Sequence, residues 1–190
     1  MTHRQSRLIL ASGSPRRSAL LKSMGYEFEI IVPNVDENVQ GDARDVVRIL
    51  ALRKAEAVAS EQKYGIVIAS DTLVSLDEIA LGKPQNPEEA KRMLTALSGR
   101  THEVFTGVAI LDAADQRSAC RVVRTGVRFR ELSEAEIDAY IATGEPRDKA
   151  GAYAIQGGAG AFVAGWDGSF NNIIGLPTER LHELLTKMMA

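Results

Sequence analysis

The sequence predicts an α/β fold built on a mixed sheet. Two patterns carry that reading. Short apolar runs alternate with helical periodicities through the first half of the chain, and two long strand-like segments joined by a polar turn occupy its middle. The composition agrees: 45% hydrophobic and 25% charged residues over 190 positions describe a globular chain. Chains of this length bury about 70% of the surface they expose when unfolded.

In order, Leu8 to Ala11 is a continuous apolar run and reads as a buried strand. A helix follows, with Ser14 as N-cap, Pro15 in the first position and Gly25 as the residue after the C-cap. A second strand is expected over Phe28 to Val32, then a long helix over Ala43 to Glu61 with Val47, Leu50, Ala51, Lys54 and Val58 on one side. Gly65 to Ala69 is another buried strand, ending at Ser70-Asp71-Thr72. Asn86-Pro87-Glu88-Glu89 starts a helix that Gly99 stops. Glu103 to Leu111 and Ala119 to Phe129 are the two long strands, joined by the turn Asp112 to Arg117. Ser133-Glu134-Ala135-Glu136 has the form of a capping box. The glycine-rich stretch Gly144 to Gly175 is expected to hold loops and short strands, and Leu181, Leu184, Leu185 and Met188 mark a closing helix after Pro177. No repeat or linker divides the chain, so residues 1–190 are expected to form one domain.

Composition excludes several roles. Lys and Arg total 23 against 25 Asp and Glu, a net charge of −2, which argues against a broad nucleic-acid surface while leaving room for a local basic pocket. Ten aromatic rings leave little for stacking along a single strand. No apolar stretch approaches the roughly 20 residues of a membrane span. Met1 to Arg7 is polar and leads into an apolar run too short for a secretory signal. The lone Cys120 forms no internal disulfide, is expected as a core thiol, and fits a reducing, cytoplasmic setting. With three histidines and one cysteine, any metal is expected to be hard and oxygen-bound, Mg²⁺ or Mn²⁺.

The first helix start is the most informative local feature. Helix N-termini favour acids, yet Arg16 and Arg17 stand in this first turn. They either meet an anion, which the backbone N–H groups and hydroxyls of Ser12-Gly13-Ser14 would also receive, or point away into solvent. The Walker pattern is absent, because Gly82-Lys83 is followed by Pro84. Asp71, at the end of an apolar strand, can act as general base or metal ligand, or simply cap a turn. Lys83 lies in a stiff Gly-Lys-Pro turn that can aim it into a cleft. Lys54 sits on the apolar side of its helix, which calls for a polar pocket nearby or for snorkelling to water. Asp36-Glu37 is the early acidic pair able to face Arg16 and Arg17.

The order of these segments resembles the Maf-like nucleotide pyrophosphatases over nearly the whole chain. The resemblance rests on Leu10-Ala11-Ser12-Gly13-Ser14-Pro15-Arg16-Arg17, Val35-Asp36-Glu37, Lys54-Ala55, Ala69-Ser70-Asp71-Thr72, Gly82-Lys83-Pro84, Leu97-Ser98-Gly99-Arg100-Thr101-His102, the run Asp148 to Gly157, and Gly175-Leu176-Pro177. It implies hydrolysis of a nucleoside triphosphate to the monophosphate and pyrophosphate, a nucleotide-pool housecleaning role. It implies an elongated mixed sheet with flanking helices, inosine-triphosphatase-like, forming two lobes around a nucleotide cleft. It also implies a cytoplasmic homodimer with no nucleic-acid polymer or membrane as partner. By the same resemblance Asp71 is the proton acceptor, Ser12, Arg16, Arg17, Lys54 and Lys83 bind the phosphate side, and Glu37 serves the divalent metal.

Arg16, Thr72 and Gln156 resemble the branch acting on dTTP and UTP, with modified pyrimidine nucleotides as further substrates. The branch acting on 7-methyl-GTP has tryptophan, glutamine and glutamate there. Gln156 both donates and accepts, as the O4 and N3–H edge of thymine or uracil requires. Gly82, where some dTTP-type members carry glutamate, and Phe170, where tyrosine is common, depart from the pattern. The alternatives are a 7-methyl-GTP pyrophosphatase and, from a different class, a nucleotide-binding regulator of septum formation.

Overall fold

A computed structural model of the chain describes residues 7–190. The polar N-terminal segment ahead of Arg7 lies outside the described residues. The elements run β1 (Leu8–Leu10), α1 (Pro15–Ser23), β2 (Glu29–Ile30), α2 (Ala43–Ala59), β3 (Ile66–Leu76), β4 (Ile79–Leu81), α3 (Pro87–Leu97), β5 (Thr101–Asp112), β6 (Ser118–Phe129), α4 (Glu134–Ala142), β7 (Val163–Asp167), α5 (Phe170–Ile174) and α6 (Thr178–Met189). Short 3₁₀ turns fill much of the stretch between α4 and β7.

Local chemistry explains the helix starts. Asp42 and Asn86 accept hydrogen bonds from Asp45 N at 2.9 Å and Glu89 N at 2.8 Å. Ser133 and Glu136 close the reciprocal capping box that their spacing predicts. At α1, Ser14 takes the N-cap backbone conformation but its hydroxyl caps nothing. Ser12 Oγ instead accepts the Ser14 N–H, at 3.2 Å.

The seven strands form one mixed sheet in the order β2-β1-β3-β5-β6-β7, with β4 added to β3. β1 lies parallel to β2 and β3, and the other pairings are antiparallel. β3 is longer than expected and does not stop at Asp71. Its first half pairs with β1, ending at Leu10 opposite Ile68, and its second half with β4, beginning at Leu81 opposite Val74. Between those rungs, residues 69–73 have β5 on one side and no strand on the other. The sheet therefore contains a gap, and Asp71 and Thr72 lie along it.

Two apolar cores share one sheet face at opposite ends. Ile66, Ile68, Val108 and Ile110 pack with Leu21 of α1 and Leu181 and Leu185 of α6. Val74, Val104, Val127 and Phe129 pack with Leu94 and Leu97 of α3, Ile137 and Tyr140 of α4, and Phe162. On the other face α2 covers Val67, Ala69, Ala109 and Leu111 through Ala51, Ala55 and Val58. These ends are the two lobes, and the gap in β3 is where they part. Gly107 makes that packing possible. It lies opposite Asp71, and a Cβ there would come within 2.2 Å of the Val47 carbonyl oxygen in α2.

β4, α5 and the length of β3 escaped the sequence reading. The β3–β4 hairpin turns on Asp77 and Glu78, both at positive φ without the glycine that marks such turns. α5 is a single short helix capped by Ser169. β2 shrinks to Glu29–Ile30, because only those residues follow the β1 edge. Cys120 is only partly buried, at the rim of the α2-side core, where burial pushes its thiol up.

Candidate active site

Alternation along β3 sends neighbouring side chains to opposite faces of the gap. Asp71 points toward α2 and Thr72 toward α1 and α5. Lys54 reaches Asp71 from the buried side of α2, with its Nζ 2.6 Å from Asp71 Oδ1 and 2.7 Å from Glu37 Oε1. Both Lys54 and Asp71 are buried, at 7% and 8% exposure, while the Glu37 side chain is half exposed on the loop after β2. The lysine on an apolar stripe thus has its polar pocket. A hydrogen bond from Lys54 holds the Glu37 carboxyl below its usual range. Glu37 faces Lys54 rather than the two arginines, and Asp36 accepts from Asn38 N in a local turn.

On the other face Arg17 is held by three hydrogen bonds, which leave two of its five N–H groups for a ligand. Its Nε donates to Gly175 O at 2.9 Å, one Nη to Thr72 Oγ1 at 3.2 Å and the other to Ser12 Oγ at 3.4 Å. Burial pushes its guanidinium down from the usual range, and the Asp71 carboxylate opposes that shift. The hydroxyls form a directed chain. Thr106 donates to Asn172 O at 3.0 Å, so at the 2.9 Å contact between the two threonines Thr72 is the donor. Asn172 is itself fully buried and donates to Val104 O and Thr125 Oγ1. Thr106, Asn172 and Ser70, whose hydroxyl donates to Gly175 O, were not anticipated. Their signal in the sequence was faint: small polar residues within segments that otherwise read as apolar strand or glycine-rich loop.

A cleft of about 860 Å³ opens over the gap, lined by Ser12, Arg16, Arg17, Glu37, Lys54, Asp71, Thr72, Gly82 and Lys83. Behind it a smaller cavity of about 110 Å³ is lined by Tyr153, Ala154, Ile155 and Gln156 together with Val74 and Val104. Arg16, Arg17, Thr72 and Lys83 line both. The fold therefore gathers Ser12, Arg16, Arg17, Glu37, Lys54, Asp71, Thr72, Lys83 and Gln156 around two adjoining spaces, with Gln156 alone set in the smaller, whereas Asp36 and Cys120 line neither. Arg16 and Lys83 line the cleft and, among the described residues, have no side-chain hydrogen bond or ion pair. Phe170 is elsewhere, tilted against Trp166 with ring centroids 5.0 Å apart.

Among the described residues no three His, Cys, Asp or Glu side chains converge as a metal cage. A hard cation that keeps waters and phosphate oxygens needs only one or two carboxylates. Glu37 beside Asp71 fits that donor set, and the Lys54 ammonium already occupies a cation position against both. No helix among the described residues is long and apolar enough to cross a membrane.

The family model described as Maf-like protein matches residues 7–188. The chain is 45% identical over 184 residues to a dTTP/UTP pyrophosphatase of Dictyoglomus thermophilum, covering 95% of each chain. It is 50% identical over 177 residues to a dTTP/UTP pyrophosphatase of Bacillus cereus, covering 92% of each. A HAM1 protein from Coxiella burnetii superimposes with a TM-score of 0.50 at 16% identity, over 96% of this chain and 99% of the other, a likeness of fold alone.

Proposed function

The chain belongs to the Maf-like family, and we propose that it is a nucleoside triphosphate pyrophosphatase acting on dTTP and UTP, releasing the monophosphate and pyrophosphate. The observation that carries the proposal is that Arg16 and Lys83, free of ion pairs among the described residues, line one cleft with the Asp71–Lys54–Glu37 cluster. That arrangement suits a small polyanion whose bond is broken by water.

In this reading the base enters the smaller cavity. There the Gln156 carboxamide donates to O4 and accepts from N3–H of thymine or uracil. The phosphates lie along the cleft against Arg16, Arg17 and Lys83. These preset charges stabilise the transition state and the departing pyrophosphate. Lys54 fixes one oxygen of Asp71. The other oxygen accepts a proton from the water that attacks the α-phosphorus, while the bond from that phosphorus to the bridging oxygen breaks. Ser12 keeps Arg17 in place and turns the chain into α1. A divalent Mg²⁺ or Mn²⁺ would be held by Glu37 and the substrate's own phosphate oxygens. Bound there, it supplies neutralisation of phosphate charge. A cytoplasmic homodimer completes the proposal. Light scattering that returns the mass of one chain would remove the dimer.

The test is pyrophosphate release from dTTP, UTP, CTP, ITP and 7-methyl-GTP, with and without Mg²⁺ or Mn²⁺. Turnover of dTTP and UTP ahead of the others is the expected result. Preference for 7-methyl-GTP would overturn the roles of Arg16, Thr72 and Gln156. Binding without turnover would favour the regulator.

A further inference from the structure

Resting on that reading, we propose that Lys149 is a further substrate-contacting residue, whose ammonium exchanges the neighbouring Asp148 carboxylate for the α-phosphate of the bound nucleotide. Lys149 stands where the smaller cavity opens into the larger cleft and lines both, as Arg16 and Lys83 do. A nucleotide with its base in one space and its phosphates in the other must pass this neck at its sugar and α-phosphate. The Lys149 side chain is largely buried, at 15% exposure, and its one side-chain partner among the described residues is Asp148, which is 75% exposed. An ion pair with so exposed an acid is weak and readily given up. A phosphate oxygen is the stronger partner, because it brings more charge into a less hydrated site.

The backbone fixes the position. Lys149 leads into Ala150-Gly151-Ala152, where Gly151 and Ala152 both have positive φ, at +67° and +62°. Ala152 is fully buried in that conformation, whereas the other non-glycine residues with positive φ sit in exposed or polar turns. Such a conformation persists only where its surroundings over-determine it. Here the Gly151 N–H donates to Gly82 O at 3.0 Å, and a Cβ on Gly151 would meet the Val74 side chain at 3.0 Å. The turn is wedged between β3 and the loop carrying Lys83, so the two lysines are presented from tied segments. Asp148 offsets charge at the neck. Its carboxyl is held below the usual range, first by Lys149 and to a smaller extent by Arg16.

The experiment compares inhibition of dTTP hydrolysis by dTMP, which keeps the α-phosphate, and by pyrophosphate, which does not. Lys149→Gln is expected to raise the KM for dTTP and the Ki for dTMP by about tenfold or more, with the pyrophosphate Ki unchanged. Lys149→Arg should restore most of the dTMP affinity, and Asp148→Asn should tighten dTMP binding. An unchanged dTMP Ki in Lys149→Gln, or an equal loss for both inhibitors, overturns the assignment. Should that variant fail to fold, Asp148→Asn decides, and dTMP binding no tighter than wild type overturns it. If the wild-type protein neither hydrolyses dTTP nor binds dTMP, the pyrophosphatase reading falls. If it does both and the variants behave as wild type, only the role of Lys149 falls.

Discussion

The two faces of β3 at the gap are built on opposite terms. On the α2 face, Lys54 bridges two carboxylates, one buried and one half exposed, and occupies only one oxygen of each. On the α5 face, Arg17, Thr72, Thr106 and the Asn172 carbonyl form a chain in which each hydroxyl proton is already committed. Adjacent residues of one strand thus divide the work: Asp71 offers unused acceptor capacity, while Thr72 has no proton left to offer. In the proposed reading, chemistry belongs on the first face and positioning on the second, and Thr72 acts through the guanidinium it holds rather than as a donor to the base.

The contrast can be broken from either side. Asp71→Asn is expected to lower kcat by at least about 10²-fold, with the thermal midpoint little changed because Lys54 keeps Glu37; near-normal turnover would remove Asp71 from the base role. The α5 face responds to pH instead. His102, buried beside Tyr153 with Nε2 2.7 Å from its hydroxyl, is pushed down to about 4 by burial, against 6.5 when unfolded. Its contribution is complete above pH 6.5 and is lost as pH falls towards 4, because the unfolded chain takes up the proton first. The loss amounts to about 3 kcal/mol. Denaturant midpoints between pH 7 and 4 should fall less in His102→Gln, and parallel curves would show that the acid sensitivity lies elsewhere.

Gly107→Ala tests the seam between the faces. A methyl group 2.2 Å from Val47 O cannot be accommodated without moving α2. A cost of about 2 kcal/mol is expected, with turnover falling as Lys54 shifts; unfolding at the wild-type midpoint would show the helix to be free to retreat. The smallest effect is expected from Thr106→Val, which leaves the Asn172 carbonyl with the Gly175 N–H as its donor but takes away the hydroxyl that Thr72 donates to. Stability should drop by about 1 kcal/mol, with KM for dTTP rising more than kcat falls. A change confined to kcat would place the hydroxyl chain in the chemistry.

The sequence revealed the charged groups of the site more fully than its hydroxyl chain. A lysine on an apolar stripe, arginines at a helix start and an aspartate in an apolar run each violate a local rule, and such violations are visible one residue at a time. Thr72, Thr106 and Asn172 break no rule. They acquire meaning only when strands distant in sequence are registered beside one another. The same limit applied to the fold. Caps at Asn86 and Ser133 act within one turn and were read correctly, whereas the β3–β4 hairpin turns on Asp77-Glu78, whose composition signals nothing. The gap was invisible because it is set by where β1 stops and β4 begins, not by any feature of β3.

That gap interrupts one edge of β3, but β3, β5 and β6 themselves run unbroken from one lobe into the other. Three continuous strands form a stiff spine and leave no hinge about which the lobes can close over a nucleotide. Induced fit, and any tolerance for pyrimidines of different size, must come from irregular segments hung on that spine: the loop that carries Glu37 and the turn that carries Gln156.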